Sequence, residues 1–116
     1  MRCSWCGCRQ FKIKNAKRKM SPSLVVRVRF KSQLSLEGVM KVAEERIDQF
    51  RALKGLVQKY YLEDPATGEV AGLYFWDSKE SLDEFNSSEL RATIAKAYQV
   101  VGEPTVEVYR VMMPLR

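Results

Sequence analysis

The side chains able to do chemistry fall into two groups. The first is Cys3, Cys6 and Cys8, three thiols at the short spacing at which thiolates share a zinc or iron–sulfur site. Three thiols alone do not complete a four-ligand structural site of the usual kind, and the chain has no histidine to help them. That absence also removes imidazole acid–base catalysis and a proximal histidine for haem. The second group is aromatic and charged together: Arg27, Arg29, Gln58, Tyr60, Tyr74, Trp76, Glu107 and Tyr109. An arginine above aromatic rings favours an anionic, ring-shaped guest, by stacking and by charge. Glu107 is the one carboxylate of the set. It is the default base, or else the partner of Arg27 or Arg29 in a cross-strand ion pair.

Four strands must position those residues. Val26, Val28 and Phe30 alternate with Arg27 and Arg29 in Leu24–Phe30, which reads as a strand. Ser35 is an N-cap for a helix whose apolar face carries Val39, Val42, Ala43, Ile47 and Phe50. Gly55 reads as its terminator. Leu56–Leu62 and Val70–Trp76 flank the turn cluster Asp64-Pro-Ala-Thr-Gly68 and predict a hairpin. Asp77 with Glu80 makes a capping-box-like start for a short helix carrying Leu82 and Phe85. Ser87-Ser88 can recap a second segment with Leu90, Ile94, Ala97 and Tyr98, and Thr105–Val111 is the last strand. The order β-α-β-β-α-β is the ferredoxin-like signature: an α+β fold, with a four-stranded antiparallel sheet and helices on one face.

The other face must then meet water, a ligand or a partner. Registering the hairpin so that Glu63 opposes Glu69 places Gln58, Tyr60, Tyr74 and Trp76 together on that open face. Val25, Arg27, Arg29, Glu107 and Tyr109 join them by elimination. The mixture suits a ligand pocket or a subunit interface.

Charge divides the chain. Residues 1–20 hold seven basic and no acidic residues, whereas residues 21–116 are close to neutral, so the net +6 belongs to the leader. A nucleic-acid binder wants its basic patch on the folded domain, and no nucleic-acid partner is expected. No apolar run approaches the ~18 residues of a membrane span, so no membrane partner is expected and the location read is cytoplasmic. The domains are therefore a basic cysteine-bearing leader over 1–20, expected to lack fixed structure, and one folded domain over 21–116. A short transit peptide is the alternative for the leader, and Met20 is a candidate start.

The run Asp64-Pro-Ala-Thr-Gly-Glu-Val-Ala-Gly-Leu-Tyr-Phe-Trp76, followed by Asp77-Ser-Lys-Glu-Ser81, resembles the hairpin of a dimeric α/β-barrel family. These are the YdhR-like mono-oxygenases, relatives of the antibiotic-biosynthesis monooxygenases. The stretch Gly102-Glu-Pro-Thr-Val-Glu-Val-Tyr109 is similar to their last strand. The resemblance spans about residues 24–113 and leaves out the leader. It implies a homodimer whose two sheets close into a dimeric α/β barrel. It also implies oxidation of a small aromatic or quinone-like compound by O₂ without metal, haem or flavin. For that chemistry Glu107 and Tyr74 are the candidate catalytic residues. Arg27, Arg29, Gln58, Tyr60, Trp76 and Tyr109 are candidates for binding the small aromatic ligand. No metal site and no cofactor is expected. The alternative is a non-catalytic, small-ligand-binding or stress-associated dimer of the same fold.

Overall fold

A computed structural model describes residues 21–116. The leader, its three cysteines and the candidate start at Met20 lie outside the described residues. Strand β1 (Leu24–Ser32) leads to helix α1 (Leu36–Arg51), then strands β2 (Leu56–Glu63) and β3 (Val70–Trp76). Three short helices follow, α2 (Lys79–Asn86), α3 (Glu89–Ala92) and α4 (Ile94–Ala97), before strand β4 (Val100–Arg110). The four strands form one antiparallel sheet in the order β2-β3-β1-β4. Element order and strand order together are those of the ferredoxin-like fold.

Local chemistry sets the boundaries. The Ser35 hydroxyl accepts from the Gly38 amide at 3.1 Å and starts α1. Ser78 caps α2 and Ser88 caps α3, each accepting an amide three residues on. The capping residue of α2 is therefore Ser78 rather than Asp77. Asp77 instead accepts from the Ser81 hydroxyl at 2.7 Å, which braces the same turn from one residue earlier. Helix α1 ends at Arg51, with Ala52 as its C-cap, so Gly55 is not its terminator. A Cβ at Gly55 would lie 2.0 Å from the Ser81 hydroxyl oxygen. Glycine is required there by the close approach of α2, and the Gly55 carbonyl accepts from the Asp77 amide at 2.9 Å.

The expected hairpin register is one residue off. The Asp64 amide donates to the Glu69 carbonyl at 2.8 Å, and Gly68 takes a positive φ of 77° inside the loop. The ladder ends at Glu63 and Val70, and residues 64–69 form the loop that this bond closes. Glu63 then opposes Val70 instead of Glu69. Because side chains alternate, this single step turns all of β3 over relative to β2. Tyr74 and Trp76 thus face the helices, not the open side, and Leu73 and Phe75 take their places outside. A bulge between Leu56 and Gln58 keeps Leu56 opposite Trp76 at the base of the hairpin.

The core lies between that inner face and the helices. Val26, Phe50, Tyr74, Trp76, Leu82 and Phe85 form its larger cluster. Val39, Val70 and Tyr98 form a smaller one beside it. Trp76 is the most enclosed, at 1% exposed, with its ring 5.2 Å from Phe85 and its plane parallel to that of Tyr74. Each large side chain so buried contributes about 1.5–3 kcal/mol. Among the described residues no helix is long and apolar enough to cross a membrane.

Candidate active site

Between α1 and the inner face of the sheet lies a cavity of about 220 Å³, with Ile94 and Tyr98 also in its lining. Most of its wall is apolar: Val28, Phe30, Leu36, Val39, Met40 and Val70. The polar atoms come from Lys59, Tyr61, Glu63, Tyr74 and Tyr98. A mostly apolar cleft with a few convergent polar groups is the usual form of a small-molecule site.

The sequence builds this wall through alternation. Lys59 opposes Tyr74, and Tyr61 opposes Gly72, so all three side chains and the gap at Gly72 share the inner face. The Tyr74 ring leans over Gly72, where a Cβ would come within 2.9 Å of it. Tyr98 packs its ring against Phe30 at 5.6 Å. None of the Tyr61, Tyr74 and Tyr98 hydroxyls has a hydrogen-bond partner among the described residues.

Lys59 is the unusual member. Its ammonium nitrogen sits 3.5 Å from the Phe50 ring centroid, 4.4 Å from that of Tyr61 and 4.5 Å from that of Tyr74. No carboxylate among the described residues pairs with it. Loss of water depresses its pKa to about 7, and the charge of Arg46 adds to the effect. The ring faces return about 2 kcal/mol of cation–π attraction, against a desolvation cost of several kcal/mol for an ammonium. Arg46 is anchored elsewhere, donating to the Leu90 carbonyl at 2.9 Å and the Thr93 hydroxyl at 2.8 Å. Burial also pushes the phenols upward: Tyr98 to about 12, Tyr74 further, and Tyr61 in the same direction. At neutral pH the three phenols are therefore proton donors, while Lys59 can hold or release a proton.

The residues expected from sequence divide between the two faces. Tyr74 lines the cavity, and Trp76 is sealed beside it in the core. Arg27, Arg29, Gln58, Tyr60, Glu107 and Tyr109 lie on the opposite, open face, so the eight do not form one site. Arg27 opposes Glu107 across β1 and β4, and the two make an ion pair. Arg29 is held between Glu69 at 2.5 Å and Asp64 at 2.7 Å. The Ala66 amide and this arginine together keep the Asp64 carboxyl below its usual range. The Gln58 side chain turns back to accept from the Lys59 backbone amide at 2.9 Å. Tyr60 stands edge-on to Phe75 at 5.9 Å, and Tyr109 is 55% exposed.

Lys59, Tyr61 and Tyr98 were not among the expected site residues. The available signal was a lysine at an inward-pointing position of β2, in phase with Val57 and Tyr61. Among the described residues no group of three His, Cys, Asp or Glu is placed to hold a metal ion.

No protein-family model matches this chain, and no curated protein matches it in sequence. Solved structures do match it in three dimensions. Rv0793 from Mycobacterium tuberculosis is 18% identical, with a TM-score of 0.66 over 80% of this chain and 98% of its own. SnoaB, a cofactor-independent oxygenase from Streptomyces nogalater, is 11% identical, with a TM-score of 0.67 over 82% of this chain and 98% of its own. A protein described as an antibiotic biosynthesis monooxygenase is 14% identical, with a TM-score of 0.65 over 78% of this chain and 99% of its own. At such identities the likeness is one of fold: residues 21–116 have the ferredoxin-like α+β fold that these structures share.

Proposed function

We propose that this chain is a cofactor-independent monooxygenase for a small phenol or quinol, and that the reaction takes place in the cavity between α1 and the sheet. The observation that carries the reading is Lys59, an amine with no carboxylate partner among the described residues, set among the rings of Phe50, Tyr61 and Tyr74. SnoaB, which shares the fold, supports the reaction class. The proposed site keeps Tyr74 and replaces Glu107 with Lys59 as base, because Glu107 is on the other face and paired with Arg27.

In the proposed reaction, neutral Lys59 takes the hydroxyl proton of the bound phenol. The resulting phenolate is electron-rich, and the Tyr74 and Tyr98 hydroxyls stabilise its oxygen by donating to it. The phenolate passes one electron to O₂, and the aryloxyl radical and superoxide combine to form a carbon–oxygen bond on the ring. The peroxide takes its proton back from the Lys59 ammonium. Loss of the ring C–H proton then cleaves the O–O bond and releases water. The balance is one phenol and one O₂ giving one quinone and one water, with O₂ the only oxidant.

Oxygen uptake with a panel of phenols and quinols tests this directly. The expected result is one O₂ consumed per quinone formed. Lys59→Met should lower kcat/KM by about 10²–10⁴-fold, the usual worth of a positioned base. Saturable ligand binding without any oxygen uptake across the panel would refute the reaction and favour the non-catalytic binding protein. The open face, with Tyr60, Leu62, Phe75 and Tyr109 around the Arg27–Glu107 pair, is the proposed homodimer surface.

A further inference from the structure

A lysine amine surrounded by ring faces, beside a cavity and without a carboxylate partner, is equipped for more than proton transfer. Partly buried lysines of this kind are nucleophiles toward carbonyl carbon, since the neutral amine carries the reactive lone pair. The groups facing the Lys59 amine are Tyr61 from β2, Tyr74 from β3 and Arg46 from α1. Tyr98, after α4, and Glu63, at the end of β2, share the cavity wall. Arg46 opposes a positive charge on Lys59, and the phenols supply protons. We infer that Lys59 is a covalent capture site, condensing with a small aromatic aldehyde or ketone held in the cavity to give a Schiff base.

The step balances without an outside oxidant. The Lys59 lone pair attacks the carbonyl carbon and forms a C–N bond, while the carbonyl oxygen takes a proton from Tyr74 or Tyr98. The nitrogen then loses its protons, one of which returns to the phenol. The carbinolamine hydroxyl leaves with another as water, and C=N remains. Val28, Phe30 and Val39 give the cavity an apolar wall for the aromatic ring of the adduct to pack against.

Schiff-base formation at Lys59 needs no oxygen, so the test is run in oxygen-free buffer. The full chain is incubated with 4-hydroxybenzaldehyde and cyanoborohydride near neutral pH, and the adducts are mapped by peptide mass spectrometry. The trap delivers one hydride and water one proton, which turns the imine into a stable secondary amine. An amine titrating at about 7 is roughly a thousandfold richer in its neutral form at that pH than an ordinary lysine. Lys59 should therefore be labelled at least about tenfold faster than Lys41, Lys54 or Lys96. Its labelling should level off above about pH 7 while that of the others keeps rising. Lys59→Arg should abolish this fast adduct. Because the map is made on the unaltered chain, the result does not depend on the variant folding. Equal labelling of Lys59 and the exposed lysines, or none at Lys59, overturns the proposal. A chain that captures the aldehyde but consumes no oxygen with phenols would leave this inference standing and remove the oxygenase.

Discussion

Replacing Lys59 with methionine should stabilise the fold, and by an amount that depends on pH. The folded amine titrates at about 7 against 10.5 for an ordinary lysine. Below pH 7 the ammonium is present in both folded and unfolded chains, and the folded chain bears the whole cost of burying it. Between about 7 and 10.5 the unfolded chain holds a proton that the folded one lacks, so stability rises with pH across that window. The displacement corresponds to at most about 5 kcal/mol, and cation–π attraction returns about 2 kcal/mol of it. A gain of about 2–3 kcal/mol for Lys59→Met near pH 6 follows, or roughly 10 °C or more in Tm for a domain of this size. Near pH 9.5 the gap should narrow, because the wild-type amine is then neutral in the fold. The Tyr74 and Tyr98 phenols remain protonated across this range. Thermal melts of both proteins by circular dichroism, across this pH range, make the comparison. A Lys59→Met chain less stable than wild type near pH 6, or one that keeps the wild-type pH slope, would mean that the Lys59 ammonium carries no net burial cost.

Three further outcomes follow from the same contacts. Gly55→Ala should cost roughly 3 kcal/mol in denaturant unfolding, because its Cβ would sit 2.0 Å from the Ser81 hydroxyl oxygen and 2.2 Å from the Ser81 Cβ. The Tyr98 phenol, raised to about 12 in the fold, contributes stability that is fully present below pH 10 and lost between about 10 and 12. Tyr98→Phe should flatten the alkaline limb, and ultraviolet titration of the wild type should show late-ionising tyrosine. Arg27→Gln should loosen the proposed homodimer, because the ion pair with Glu107 lies on the open face; sedimentation showing association as tight as wild type would remove the pair from that surface.

The architecture was legible because each element announces itself locally. Ser35 caps α1, Val26 and Val28 alternate with arginines in β1, and Asp64–Gly68 is a turn. The site was less legible because it depends on the pairing register, which is not a local property. Whether Glu63 pairs with Glu69 or with Val70 is decided by Gly68 adopting a positive φ and by the Asp64–Glu69 hydrogen bond. That one-residue step decides whether Tyr74 and Trp76 face arginines or helices. With β3 turned over, the open face keeps its arginines but loses two of its aromatics. The inner face gains Tyr74 beside Lys59, a residue whose alternation with Tyr61 reads as ordinary packing until α1 is placed above it. Gly55 misled for a related reason: its role is a contact with Ser81 in a distant helix, invisible from the end of α1 alone.

The proposed chemistry belongs to the inner cavity and not to the open face. Oxygen uptake with the best phenol or quinol of the panel, compared between Lys59→Met and Arg27→Gln, tests it most directly. Arg27→Gln should consume oxygen at close to the wild-type rate, while Lys59→Met, folded and at least as stable, should consume almost none. Activity retained in Lys59→Met and lost in Arg27→Gln would contradict it and return the site to the open face of the sheet.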